Sequence, residues 1–411
     1  MKSINNLLNF QKVASFCSQK IPILYCIIIS FPIRVLRVFY PVNKNVWVFG
    51  SGNGQTFSDN SKYFFLYLLK NKTNEKPIWI THNKQVIQEI KDLGGTAYHN
   101  LSFLGIHYIL LANYLIWSTR RSDVLFFNNN RTIINLWHGT FSKKIVYDYS
   151  GKSVKDTFII SKLWSKMVVG FNHKDVDIIS TTSDFFMPIM KSAFNNNQTF
   201  IAGQPRNDLF FQNNNSNIKK ELGLQNHYII TYMPTHRKYG RGDQNPVIFT
   251  KNKEAEKYFN DKNIKVLIKL HPNMSSKMVV NNSSILNVTD LAIDTQELLN
   301  ISDLLITDYS SCVVDYLLLD RPIIFYLYDD YEKVEENDLY FKLEDHAPGG
   351  ITNNESQLLI EIDKAFSNED YFLGKRQEMS KLFNKYNDGL SSERMYSLIK
   401  NLNNLNNQDN N

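Results

Sequence analysis

Residues Ile301–Tyr326 read ISDLLITDYSSCVVDYLLLDRPIIFY, and the fold is decided there. Leu304, Leu305 and Ile306 make an apolar run long enough for a buried strand and too short for a helix. The run breaks at Thr307-Asp308-Tyr309-Ser310-Ser311, and the apolar spacing from Val313 to Leu319 predicts a helix that Pro322 ends. Ile323–Tyr326 is then the next strand. A strand entering a helix through a polar turn offers backbone N–H groups and a positive dipole end, which suits an anion. Ser310 and Ser311 can add hydroxyl donors. Asp315, one turn on and on the Ser311 face, would repel phosphate, so it is expected on ribose hydroxyls, as acids are in dinucleotide folds. The plainer alternative is a capped helix of an α/β domain, with Asp308 or Ser310 as cap.

Outward from this stretch the same alternation recurs. Strands are expected at Val46–Gly50, Ile78–Thr81, Tyr114–Trp117, Thr132–Leu136, Asp177–Ser180 and Thr199–Ala202. A helix is expected from Asp59 to Leu69, and the Gly50, Gly52 and Gly54 spacing is a βα loop rather than GxGxxG. After the Asn-rich stretch 213–217, strands restart at Tyr228–Tyr232 and Val266–Leu270. The expected fold is therefore α/β, with two successive parallel-sheet halves and ligands at the strands' carboxyl ends. The expected organisation is a segment over 1–44, a first Rossmann-like domain over 45–212, a second over 218–400, and a disordered Asn-rich tail over 401–411.

Composition places this in a globular chain: 411 residues, 43% hydrophobic and 21% charged. Cys17, Cys26 and Cys312 lack metal or disulfide spacing, which favours a reducing compartment. The formal charge of +6 is carried by Lys2, Lys12, Lys20, Arg34, Arg37 and Lys44, since no acidic residue precedes Asp59. The apolar run Ile21–Ile33, interrupted by Pro22 and Pro32, is too short to span a bilayer as one helix. Arg34 and Arg37 follow it where a signal peptide would need small residues. Basic charge beside apolar and aromatic side chains suits the face of an anionic membrane, with an ordinary core helix or true spanning as the alternatives. Nucleic-acid binding is disfavoured, because basic clusters with stacking aromatics do not recur.

Four further polar clusters each follow an expected strand: Asn135-Leu136-Trp137-His138-Gly139-Thr140, Gly203-Gln204-Pro205-Arg206-Asn207-Asp208, Pro234-Thr235-His236-Arg237 and Lys269-Leu270-His271-Pro272. Each has a dull reading alone. A His before Gly often sits in a turn, and Pro234 and Pro272 can simply stop strands. Lys269 in an apolar run is odder, since a buried ammonium wants an anion. Their shared position at strand ends makes a phosphate site the better reading together.

In this order the clusters resemble the CDP-glycerol glycerophosphotransferase family, the teichoic-acid and capsule polyol-phosphate transferases; Asp59-Asn60-Ser61-Lys62-Tyr63 is similar to it too. The likeness covers roughly residues 45–350. It implies a GT-B fold, two facing Rossmann-like domains with a cleft between them, and peripheral attachment to the cytoplasmic face of the cell membrane. It implies His138 as catalytic base, Trp137, Gly139 and Thr140 lining the donor, and Arg206 on its phosphates. Pro234 and Thr235 would bound the nucleotide, Lys269 and His271 would reach the diphosphate, with His271 catalytic beside His138 and Leu270 substrate-binding, Ser310 and Ser311 would bind phosphate, and Asp315 the ribose. Phe141 stands where the family commonly has proline, and Lys342-Leu343 where an Asp-Tyr pair is common.

The expected reaction is attack by an acceptor hydroxyl, lipid-linked or polymeric, on the distal phosphorus of a CDP-polyol such as CDP-glycerol, with CMP leaving. A neutral imidazole, with an ordinary pKa near ~6.5, can take the hydroxyl proton. Arg237 joins Arg206, Lys269 and His271 in neutralising the leaving diphosphate. No tightly bound cofactor or metal is expected, and Mg²⁺ only as a soluble stimulant. The rival readings are a GT-B glycosyltransferase using a nucleotide sugar and a non-catalytic membrane-docked binding protein.

Overall fold

The computed structural model describes residues 40–71, 73–120, 123–124, 131–149, 173, 176–212, 217–235, 248–270, 282–328 and 339–408. The basic and apolar segment preceding residue 40 lies outside these, as do Arg237 and His271. Thirteen strands form two sheets. The first holds β1 (Asn43–Gly50), β2 (Lys76–Thr81), β3 (Thr96–His99), β4 (Ala112–Trp117), β5 (Thr132–Asn135), β6 (Ile178–Thr181) and β7 (Thr199–Ile201). The second holds β8 (Tyr228–Tyr232), β9 (Ile264–Ile268), β10 (Ile285–Asn287), β11 (Leu304–Thr307), β12 (Ile323–Tyr326) and β13 (Gly350–Thr352). The strand orders are β3-β2-β1-β4-β5-β6-β7 and β10-β9-β8-β11-β12-β13. Both follow the doubly wound pattern, in which the order reverses beside the first strand. In the second sheet that reversal lies between β8 and β11, which pair in parallel at Leu304↔Ile230, Leu305↔Thr231 and Ile306↔Tyr232.

Contact density divides the chain into two compact units, residues 1–136 with 170–178 and residues 137–169 with 179–411. The C-terminal helix Ser391–Gln408 runs through most of the segment expected to be a disordered tail.

The central strands were legible because both faces are buried, as parallel sheets require. All four residues of β11 and of β12 are buried, and their side chains feed two apolar clusters. Ile230, Tyr232, Leu304, Ile306 and Ile324 pack on one face, and Leu305, Ile323, Phe325, Val313 and Val314 on the other. The expected helix from Val313 is a short α-helix, Cys312–Tyr316, followed by a 3-10 turn over Leu317–Leu319. Three strands were not anticipated: β3, β10 and β13. Each lies at a sheet edge, is three or four residues long, and is partly exposed.

In the first unit a buried carboxylate organises the loop after β1. Asp123 accepts N–H bonds from Asn53 (2.7 Å), Thr119 (2.9 Å) and Arg120 (3.3 Å). Gly50, ending β1, has no room for a side chain, since a Cβ there would lie 2.3 Å from the Asp123 carbonyl oxygen. Burial pushes the Asp123 carboxyl up to about 6, against the opposing pull of those N–H donors. The folded state therefore holds this proton more tightly than the unfolded chain, so stability falls as pH rises from about 4 to 6, by up to ~3 kcal/mol. Asp123→Asn removes the titration. Urea unfolding at pH 4 and pH 7 is expected to show the wild-type protein losing up to ~3 kcal/mol more than the variant across that interval; parallel behaviour would contradict the assignment.

Candidate active site at the reversal point of the second sheet

The carboxyl ends of β8 and β11 are tied together. The Met233 N–H donates to the Ile306 carbonyl (2.9 Å), and the Thr307 hydroxyl donates to the Met233 carbonyl (2.7 Å). One residue further, Thr235 donates its backbone N–H to both oxygens of Asp308 (3.0 and 3.1 Å) and its hydroxyl to Asp308 Oδ2 (3.1 Å). Asp308 is fully buried. It is therefore the clasp between two clusters, Pro234-Thr235 and Thr307–Ser311. Pro234 is buried beside it and ends β8's run.

The second tie reaches Arg206. This residue opens the 3-10 segment Pro205–Phe211 and pairs through Nη2 with Asp315 Oδ2 at 2.8 Å; both side chains are buried. Asp315 also accepts from Asn207 Nδ2 (2.7 Å) and Gln296 Nε2 (3.2 Å), and Gln296 donates to Asn207 Oδ1 (3.0 Å). A carboxylate meeting three side-chain donors and 2% exposed is a structural anion. The ribose contact expected of Asp315 would fall to a carboxylate already held by these three donors. Arg206 likewise is paired inside the protein and is not an exposed cation. Asn207 and Gln296 were missed. Asn207 lay unremarked inside a quoted cluster, and Gln296, one of four polar residues on the seven-residue helix Thr295–Ile301, carries no sequence signal.

Gly139 comes to the same corner. Its φ is +105°, a conformation that L side chains rarely adopt, and a Cβ there would lie 2.7 Å from Ser311 Oγ and 2.8 Å from Arg206 Nη2. Three separated clusters thus meet within a methyl group's reach. Trp137 is also left-handed (φ 53°), which sets the turn that delivers His138. Its ring lies 4.0 Å, centroid to centroid, from the half-buried His138 imidazole and 4.8 Å from Phe194. The Thr140 hydroxyl donates to Met190 Sδ at 3.2 Å, toward helix Phe186–Phe194. Ser310 and Ser311 are half-exposed. Ser310 Oγ accepts weakly from Cys312 N–H at 3.4 Å, and Ser311 makes no side-chain cap bond to the helix it begins. Burial pushes the Cys312 thiol up to about 11, which disfavours its thiolate.

Lys269 and Leu270 stand apart from the serine corner in their bonding. The Lys269 ammonium donates to the Ile293 carbonyl (2.7 Å), with burial lowering its pKa and nearby Asp294 raising it. The anion its burial called for is met by a carbonyl dipole and that carboxylate. Leu270 is buried, its N–H donating to Thr289 Oγ1 (3.0 Å). Phe141, the residue in the usual proline place, is buried against the rings of Phe325, Phe341 and Phe383.

Residues 33–401 match the family profile described as CDP-Glycerol:Poly(glycerophosphate) glycerophosphotransferase. The chain belongs to this family. Among curated relatives it is 27% identical over 361 residues to a teichoic acid poly(glycerol phosphate) polymerase of Bacillus spizizenii, covering 82% of this chain and 87% of the relative. It is 26% identical to a teichoic acid glycerol-phosphate transferase of Staphylococcus aureus, covering 87% and 93%. A teichoic acid ribitol-phosphate polymerase of the same species, TarL, is 26% identical; 89% of this chain matches 64% of that one. In fold it is similar to the wall teichoic acid polymerase TagF soaked with CDPG (TM-score 0.75, 23% identity, 88% and 89% of the two chains). It is less similar to the Staphylococcus aureus MnaA–UDP structure (TM-score 0.55, 14% identity, 88% and 98%). The chain is thus a transferase of the glycerophosphotransferase family, with an α/β fold of two parallel sheets.

Removing one partner of a buried ion pair leaves the other charge uncompensated. Asp315→Asn is therefore expected to lower the unfolding free energy by about 3–5 kcal/mol, measured by urea unfolding. A loss below about 1 kcal/mol would mean that the pair is not what joins the clusters.

Proposed function

We propose that this protein transfers a polyol phosphate, glycerol phosphate in the first instance, from a CDP-activated donor to a hydroxyl acceptor, releasing CMP, in teichoic-acid or capsule polymer synthesis. What carries the reading is the meeting of Gly139, Arg206 and Ser311 at the reversal point of the second sheet, where ligands of doubly wound folds bind. His138 adjoins that corner through the chain. In the proposed step the acceptor oxygen bonds to the distal phosphorus as its proton passes to the His138 imidazole. The bond from that phosphorus to the bridging oxygen breaks, and CMP departs with the electron pair. Gly139, lacking a side chain, lets its backbone lie directly against Ser311 and Arg206. Ser310 and Ser311 offer hydroxyl donors to the phosphates. Arg206, anchored on Asp315, presents the rest of its guanidinium. Fixed donors of this kind are worth roughly 3–4 kcal/mol each when aimed at developing charge.

The same proposal includes a GT-B type fold and His271 and Arg237 as further diphosphate contacts. It assigns CDP-polyol as substrate rather than cofactor, with Mg²⁺ as a soluble stimulant. It places the protein peripherally at the cytoplasmic face of the cell membrane, on the strength of the basic and apolar residues 1–44. Among the described residues no helix is long and apolar enough to cross a membrane.

The test is CMP release from a panel of CDP-polyols with membrane acceptors, followed by product analysis for a phosphodiester. His138→Ala is expected to cut turnover by roughly 10²–10⁴-fold with little change in KM. Unaltered turnover would remove His138 from the base role, and a glycosidic product would replace the reaction assigned.

A further inference from the structure

Lys143 lies three residues beyond the His138 cluster, and its backbone is pinned. The Tyr340 N–H donates to the Ser142 carbonyl (2.7 Å), and Lys143 forms an antiparallel bridge with Leu339. Phe141, just before, is locked among Phe325, Phe341 and Phe383. From that anchorage the four-carbon stem carries the ammonium to the carboxyl end of β8, where Nζ donates to Thr235 Oγ1 (3.0 Å). It also lies 5.5 Å from the Tyr309 ring centroid, within cation–π range.

The polarity of Thr235 gives this position its meaning. Its hydroxyl hydrogen is directed at Asp308 Oδ2 (3.1 Å), so the oxygen turns a lone pair toward Lys143. A bare lone pair facing a phosphate would repel it; an ammonium on that lone pair reverses the sign. Charge-assisted bonds to phosphate are roughly twice as strong as neutral ones, and a flexible lysine stem can swing to make them.

We propose that Lys143 is an anion-contact residue of this site, resting on Thr235 and the Tyr309 face and drawn onto the donor's diphosphate when the nucleotide binds. The inference rests on the transferase reading above, and the experiment separates the two. Wild type, Lys143→Met and Lys143→Arg are compared for CMP release from CDP-glycerol, for CDP binding by calorimetry, and for thermal midpoint.

Lys143→Met is expected to raise KM for CDP-glycerol and Kd for CDP by about tenfold or more, with an unchanged midpoint, and Lys143→Arg to recover most of the loss. KM and Kd of Lys143→Met within twofold of wild type would overturn the proposal. So would a fallen midpoint with unaltered KM and Kd, which would make Lys143 only a tether between loops. A wild-type protein that binds CDP yet releases no CMP from any CDP-polyol would sink the transferase reading, and the CDP-binding comparison would still decide Lys143. Failure of the wild type to bind CDP at all would overturn both.

Discussion

The buried contact between Arg206 and Asp315 is the constraint on which the site depends. Two charges removed from water repay their desolvation only with close geometry and satisfied neighbours, and Asn207 and Gln296 supply that satisfaction. The ion pair joins the segment after β7 to the helix after β11. Because Gly139 rests against Arg206 and Ser311, the turn carrying His138 is placed by the same pair. An apolar core could hold these elements at comparable stability. It could not specify so narrowly which turn faces which, and this is where a buried polar network differs from packed side chains.

Topology explains why the network forms where it does. The strand order of the second sheet reverses between β8 and β11, so the connections leaving these strands run to opposite faces and leave a crevice at their carboxyl ends. Asp308 closes the base of that crevice by binding Thr235, and Ser310 and Ser311 stand at its lip. Gly139 has its positive φ at the point where backbone approaches closest. The departure at Phe141 is absorbed away from this corner, in an aromatic cluster with Phe325, Phe341 and Phe383, so proline's absence leaves the turn itself intact.

Much of this was legible in the residues alone, for physical reasons. β8, β11 and β12 matched their expected bounds because strands buried on both faces read as unbroken apolar runs. β3, β10 and β13 escaped because edge strands need bury only one face, and Thr96–His99, Ile285–Asn287 and Gly350–Thr352 are short and mixed. Three of the strand-end clusters do meet, at Gly139, Arg206 and Ser311, and Asp315 is held there by Arg206, Asn207 and Gln296. An acid between Val314 and Tyr316, in a run with Val313 and Leu317, was bound to be buried and so to require an internal cation. Helical spacing from Ser311 located its face correctly and could not reveal that Arg206, a hundred residues earlier, already occupied it. Thr140 shows the same limit: its hydroxyl serves Met190, a partner no local pattern announces.

The central claim is that one corner, built from Gly139, Arg206, Thr235 and the Ser310–Ser311 turn, receives a nucleotide diphosphate. A crystal structure of the protein with CDP tests it most directly. The account expects the diphosphate within hydrogen-bond distance of Ser311 Oγ and the Gly139 backbone, with the Arg206–Asp315 pair intact. Density for the nucleotide at another strand edge, with this corner unchanged, would contradict it.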